Sequence, residues 1–231
     1  MAFSRPIGLP DRPTASQLTA EMAGIGLRFA VSPSEDPDIE DTLVFASELG
    51  MLDHDLRTLS LLTTWLGVHL AYVNIERLLR ALDGYPAPRV LAYWSAIGAW
   101  QRRDRRLRRL ERLYTEEPVA LLAVGTEFQI RRRGEDKRFL GTALRAPDGT
   151  LRDRLADIAS PADLARTHTT YRARVVIGPT WRADAWAALE KNPHWTPSQV
   201  ANEARCAFAT AWHVKRDFTL VRVTHSNRTV S

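Results

Sequence analysis

The chain is poor in cysteine, in lysine and in long apolar runs. It has one cysteine, Cys206, in 231 residues. That excludes an intrachain disulfide and a zinc site built from several cysteines, and it fits a reducing, cytoplasmic setting. No run of about 18 apolar residues occurs, so no membrane span is expected. No apolar stretch follows a basic start at the N-terminus, so no signal peptide is expected. His54, His69, His168, His194, His213 and His225 have no histidine neighbour at i+3 or i+4, and no metal site is signalled. A P-loop, a dinucleotide glycine fingerprint and a nucleophile elbow are all missing, so neither catalytic residues nor a cofactor is expected. Asp153 and Asp157 share a helix-like face as an acid–base pair would, but their alternation with Arg152 and Arg154 favours surface ion pairs.

The chain does have enough apolar residues for a sizeable core, 45% of the total, and a length that suits one large or two small domains. The formal net charge is +5, and apart from Lys137, Lys191 and Lys215 every basic residue is arginine. Arginine favours bidentate contacts with phosphate and carboxylate. The positive balance suits nucleic acid or an acidic protein partner.

Residues 1–40, punctuated by Pro6, Pro10, Pro13, Pro33 and Pro37, are expected to be a flexible arm with at most a short helix near Ala15–Met22. An acidic cluster at Glu35, Asp36, Asp38, Glu40 and Asp41 reads as linker and helix start, or as a contact for a basic partner. Apolar spacing then predicts helices over Asp53–Trp65, Val73–Leu82 (with Asn74 helping to start it) and Pro88–Trp100. Gln101–Leu113 reads QRRDRRLRRLERL and is expected to be a basic helix carrying Arg102, Arg103, Arg105, Arg106, Arg108, Arg109 and Arg112. It suits phosphate contact or the docking of an acidic partner. Val119–Val124 reads as a strand, and Glu127–Arg132 with Arg138–Leu144 as an antiparallel hairpin. Arg131, Arg132, Arg133, Lys137 and Arg138 would lie at its tip. Thr150–Ile158 reads as a helix, Ser160–Pro161 and Thr196–Pro197 as helix starts, Tyr171–Ile177 as a strand and Arg182–Lys191 as a helix.

Thr196–Val221 reads TPSQVANEARCAFATAWHVKRDFTLV. Val200, Ala201 and Ala204 form one apolar stripe, and Ala211, Val214 and Phe218 continue it beyond a break at Cys206. Thr219–Thr224 is expected to start a small wing strand, and the last residues to fray. The spacing resembles the helix–turn–helix motif of bacterial transcription regulators. The family's apolar positions fall on Val200, Ala204, Cys206, Ala211 and Val214, and its small residue on Ala201. Arg205 departs from the family pattern, which has glycine in the turn, so Arg205 must accept a left-handed or bridge conformation.

The resemblance implies a mainly α fold with small β-hairpins and two winged-helix-like units. One would be residues 41–150, with the Arg-rich helix and the hairpin as wing; the other is the C-terminal helix–turn–helix domain, residues 151–231. The second helix of the motif would enter the major groove of double-stranded DNA. Thr210, His213 and Arg216 would meet bases, with Lys215 on the backbone. Arg102, Arg105, Arg106, Arg109, Arg131, Arg132, Arg133 and Lys137 would meet phosphates. The implied function is that of a DNA-binding transcriptional regulator or repressor acting as a homodimer. The layout also resembles antitoxins that partner nucleotidyltransferase-type toxins and repress their own operons. A protein-interaction module that docks an acidic or basic partner without DNA is the alternative. An enzyme acting on nucleic acid has only the charge in its favour.

Overall fold

The computed structural model describes residues 9–226, so the expected fraying of the last residues lies outside the described residues. The protein is mainly helical, and the chain divides into two compact units, Met1–Ala159 and Ser160–Ser231.

In the first unit, Thr14 caps α1 (Ala15–Gly24) through a reciprocal pair with Gln17. Leu18 and Met22 of this helix are buried, as are Ile25 and Leu27 just beyond it. The expected arm is therefore corrected from residue 15 onward: its apolar residues recur at helical spacing and close over the core. α2 (Ile39–Leu52) packs on α1, on α3 (Leu56–His69), on α4 (Ile75–Leu82) and on α5 (Pro88–Trp100). Eleven of the fourteen residues of α2 are buried, so its polar groups must find partners inside the protein. Ser47 accepts from the Trp94 indole N–H at 3.0 Å, and Glu40 accepts from the Asn74 backbone N–H at 2.9 Å. Asp38 caps α2 and also pairs with Arg77 of α4. With Glu40 and Asp41 buried at the positive end of α2, this part of the acidic cluster holds two helix starts together.

α3 runs through Gly67 to His69, further than expected, because nothing in the sequence stops it there. Trp65 donates its indole N–H to the Ile25 carbonyl at 2.8 Å, and His69 stacks on Trp65 with ring centres 4.7 Å apart. His69 Nε2 lies 3.1 Å from the Ala159 carbonyl oxygen. Burial holds the imidazole well below its ordinary range, at about 4.

α5 begins at Pro88, as the sequence predicts, and carries Gly98 where the chain returns against it. A Cβ on Gly98 would sit 2.6 Å from the Glu111 backbone nitrogen. Alanine at this position gains about 1 kcal/mol of helix propensity but forces two backbones apart. We expect Gly98→Ala to lose about 1–2 kcal/mol net, read as a lower urea midpoint at unchanged slope.

The expected hairpin is absent. Glu127–Arg132 lies in α6 (Thr126–Arg133), which starts after Gly125 at φ 80° and stops at Gly134 at φ 87°. Phe128 is exposed, so the short alternation that suggested a strand has no buried face to serve. The strand pair that does form is β1 (Val119–Ala120) with β2 (Leu144–Arg145), and it is parallel. Thr150–Ile158 is extended chain with a single 3-10 turn at Leu155–Asp157. Leu151 and Ile158 are buried there, but Leu155 points out. The expected wing of the first unit is therefore not present among the described residues.

The second unit is α7 (Pro161–Thr167), α8 (Thr169–Ile177), α9 (Trp181–Lys191), α10 (Pro197–Glu203) and α11 (Phe208–Ser226). Tyr171–Ile177 is helix, not strand: His168 Nδ1 accepts from the Tyr171 backbone N–H, and Tyr171 and Arg174 are buried one turn apart. Inside the α8–α9 pair, Arg174 Nε donates to Asp184 at 2.7 Å, with the two side chains 1% and 2% exposed. Residues 219–224, expected as a wing strand, continue α11. No helix among the described residues is long and apolar enough to cross a membrane.

Candidate nucleic-acid interface

Thr196 caps α10 with Gln199 as its reciprocal partner, and Pro197 takes the first helical position, as the sequence predicts. The turn that follows has a defined form. The Arg205 N–H donates to the Asn202 carbonyl at 3.2 Å and the Cys206 N–H to the Ala201 carbonyl at 3.0 Å. Arg205 itself is left-handed, with φ 51°. These two bonds around a left-handed residue are a Schellman ending, in which glycine is the usual occupant. Arginine carries a steric cost of about 1–2 kcal/mol there. The core supplies the compensation: Val200, Ala204, Ala211, Val214 and Phe218 are buried with Ala185, Ala188 and Leu189 of α9, and Ala201 and Cys206 pack on the edge. The apolar stripe read from the sequence is thus the seam between α9, α10 and α11.

The opposite side of α11 faces solvent. Thr210 is half-buried, and His213 and Arg216 are exposed; their spacing of three puts them along one flank. His213 meets the Trp212 ring edge-on at 5.0 Å, and the Arg216 guanidinium lies over that ring at 5.7 Å. Arg216 also donates to Asp217 at 2.9 and 3.1 Å, while Arg182 of α9 donates to the same carboxylate at 3.1 Å. These hydrogen bonds, the Arg216 pair foremost, hold the Asp217 carboxyl below the usual carboxylate range. Lys215 donates to the Pro193 carbonyl, so one of its three N–H groups is committed to the loop before α10. Trp212 is 46% exposed, Phe208 55% and Leu220 63%, which gives this flank an apolar element.

The basic residues of the first unit divide into two groups. Gln101–Leu113 is not an α-helix but bends around a 3-10 turn at Arg105–Arg109. Arg106 is bonded to Asp104 at 2.6 Å and Arg109 to Glu76 at 2.8 Å. Arg102, Arg103, Arg105, Arg108 and Arg112 are exposed. Arg131, Arg132 and Arg133 occupy the last turn of α6, where cations suit the carbonyl end of a helix, and Lys137 is exposed beyond it. Arg138, expected at a hairpin tip, is instead half-buried between Asp136, Trp100 and Phe139. Asp153 and Asp157 each face an arginine, Arg138 at 3.7 Å and Arg154 at 3.1 Å. Among the described residues no group of three or more His, Cys, Asp and Glu is placed to hold a metal ion.

Comparison of the chain with protein-family models, with curated proteins and with solved structures finds no match.

Proposed function

We propose that the second unit binds double-stranded DNA through α11, and that the protein acts as a transcriptional regulator. What carries this reading is the coincidence of two features in one small unit. A short helix, a tight turn and a longer helix are locked by a shared core, with the outer flank of α11 left open. The same unit has ten Lys and Arg against five Asp and Glu, which is the whole of the chain's +5. Charge concentrated on the unit that carries α11 favours phosphate approach. In this reading Thr210, His213 and Arg216 face base edges, and Phe208 and Ala209 near the start of α11 suit thymine methyl groups. With no wing among the described residues, one unit has little surface for specificity, so a homodimer on paired half-sites belongs to the same proposal. An autoregulating antitoxin that also holds a toxin is the narrower version of it.

A second reading has its own observation. Phe208, Trp212 and Leu220 stand exposed on α11, and aromatic residues are enriched where proteins meet. α11 would then dock a protein and leave DNA alone.

Selection of duplexes from a random pool by the full chain, followed by variants on the chosen site, separates the two. Arg216→Ala is expected to cost about 1–3 kcal/mol on the selected duplex and less on a scrambled one. Asp217→Asn is expected to tighten binding, because it releases Arg216 from a competing carboxylate. No enrichment of any sequence, with Arg216→Ala silent, would move α11 to the protein-docking reading.

A further inference from the structure

The segment Arg105–Leu110 reads RRLRRL, a repeat of three. A 3-10 helix has three residues per turn, so positions three apart stack on one side. The turn at Arg105–Arg109 sorts this repeat into three faces. Leu107 and Leu110 form the first and are fully buried. Arg106 and Arg109 form the second and are tied to Asp104 and Glu76. Arg105 and Arg108 form the third. They are exposed, and neither has a side-chain hydrogen bond or ion pair with any described residue. Arg102, Arg103 and Arg112 beside the turn are in the same condition.

The segment is also held firmly. Ser95 of α5 donates to the Glu111 carbonyl at 2.7 Å, and Gly98 lets the Glu111 backbone lie against α5. The like charges are therefore fixed near one another by the fold and cannot disperse as they would on a loose tail. A polyanion would relieve their repulsion and release its own counterions.

We infer that Arg105 and Arg108, with Arg102, Arg103 and Arg112, form a second nucleic-acid contact, a sequence-indifferent clamp on the phosphate backbone. Phosphate fits better than an acidic protein because both leucines of the repeat point inward. The outward face offers guanidinium groups without the apolar centre that protein interfaces have. The clamp stands on the first unit alone and does not rest on α11 reading bases.

The test uses the full chain, a mixed-sequence duplex of about 30 base pairs and binding measured across salt concentration. The triple change Arg105→Gln, Arg108→Gln, Arg112→Gln alters only exposed, unpartnered side chains. It is expected to make the log–log salt slope less negative by about 2–3 and to weaken binding at least tenfold at about 0.1 M salt, equally on every sequence. Lysine at the same three positions keeps the charge and is expected to keep the slope. Arg216→Ala serves as the contrast: it shifts sequence preference and leaves this effect in place. An unchanged slope in the glutamine triple overturns the clamp. So does competition by poly-L-glutamate as effective as competition by DNA of equal charge, which would mark a site for an acidic protein.

Discussion

Asp184→Ala is expected to remove a large share of the stability of the second unit. The Arg174–Asp184 pair is buried almost completely between α8 and α9. Removing the carboxylate takes a charged partner from a guanidinium in a dry interior, at a cost of about 3–5 kcal/mol. A unit of this size holds on the order of 4–11 kcal/mol in total, so the loss takes a large share of it. Amide exchange in α8 and α9 should accelerate together, and DNA retardation should fall with it. The control is Arg174→Met with Asp184→Leu, which removes both charges and fills the space. It should recover most of the stability, because a buried ion pair contributes little beyond an apolar pair of the same volume. If Asp184→Ala melts like the parent, Arg174 has found another anion, and the pair does not hold the unit.

The second large effect is on the first unit and depends on pH. His69 is buried against Trp65 and the Ala159 carbonyl, and its folded value is about 4 against an ordinary 6.5. The folded state therefore keeps the ring neutral where the unfolded chain takes up a proton. Stability is unaffected above about pH 6.5, falls as pH drops toward about 4, and levels off below that. The window spans some 2.5 pH units, which corresponds to about 3 kcal/mol. Urea denaturation of the full chain between these limits, compared with His69→Gln, isolates the contribution. The variant should lose this slope. A variant with the parent's full slope would assign the pH dependence to the carboxylates instead.

The sequence was most legible where a pattern served one buried face. Val200, Ala204, Ala211, Val214 and Phe218 could be placed on a common seam from spacing alone, and they are buried together. Thr196–Pro197, Ser160–Pro161 and Pro88 marked helix starts because caps and proline act locally. Legibility failed where tertiary contacts decide. Leu18 and Met22 lie in a proline-punctuated stretch, and only their burial by the rest of the unit makes α1 a fixed element. Tyr171–Ile177 has a β-branched end that suggests a strand, but the histidine cap and the Arg174–Asp184 pair make it helix. In Glu127–Arg132, four alternating residues were too few to separate strand from helix, and glycines at both ends set the limits of α6.

The Arg-rich segment did carry a readable signal. Leu107, Leu110 and Leu113 recur every three residues, a period that belongs to a 3-10 turn and not to an α-helix. Taken with Asp104 as a cap, that period separates the arginines that face carboxylates from those that face water. For α11, the sequence found the flank but not its state. Arg216 bound to Asp217, Lys215 held by Pro193 and Trp212 out in solvent all depend on neighbours that spacing does not reveal.

The proposed contact of α11 with double-stranded DNA is checked by fluorescence anisotropy of the full chain on a labelled duplex, measured from low to physiological salt. The expected result is binding that weakens steeply and linearly on a log–log plot, with the selected sequence holding on at salt where a scrambled duplex has let go. Failure to bind any duplex at low salt, or binding that ignores salt concentration, would contradict it.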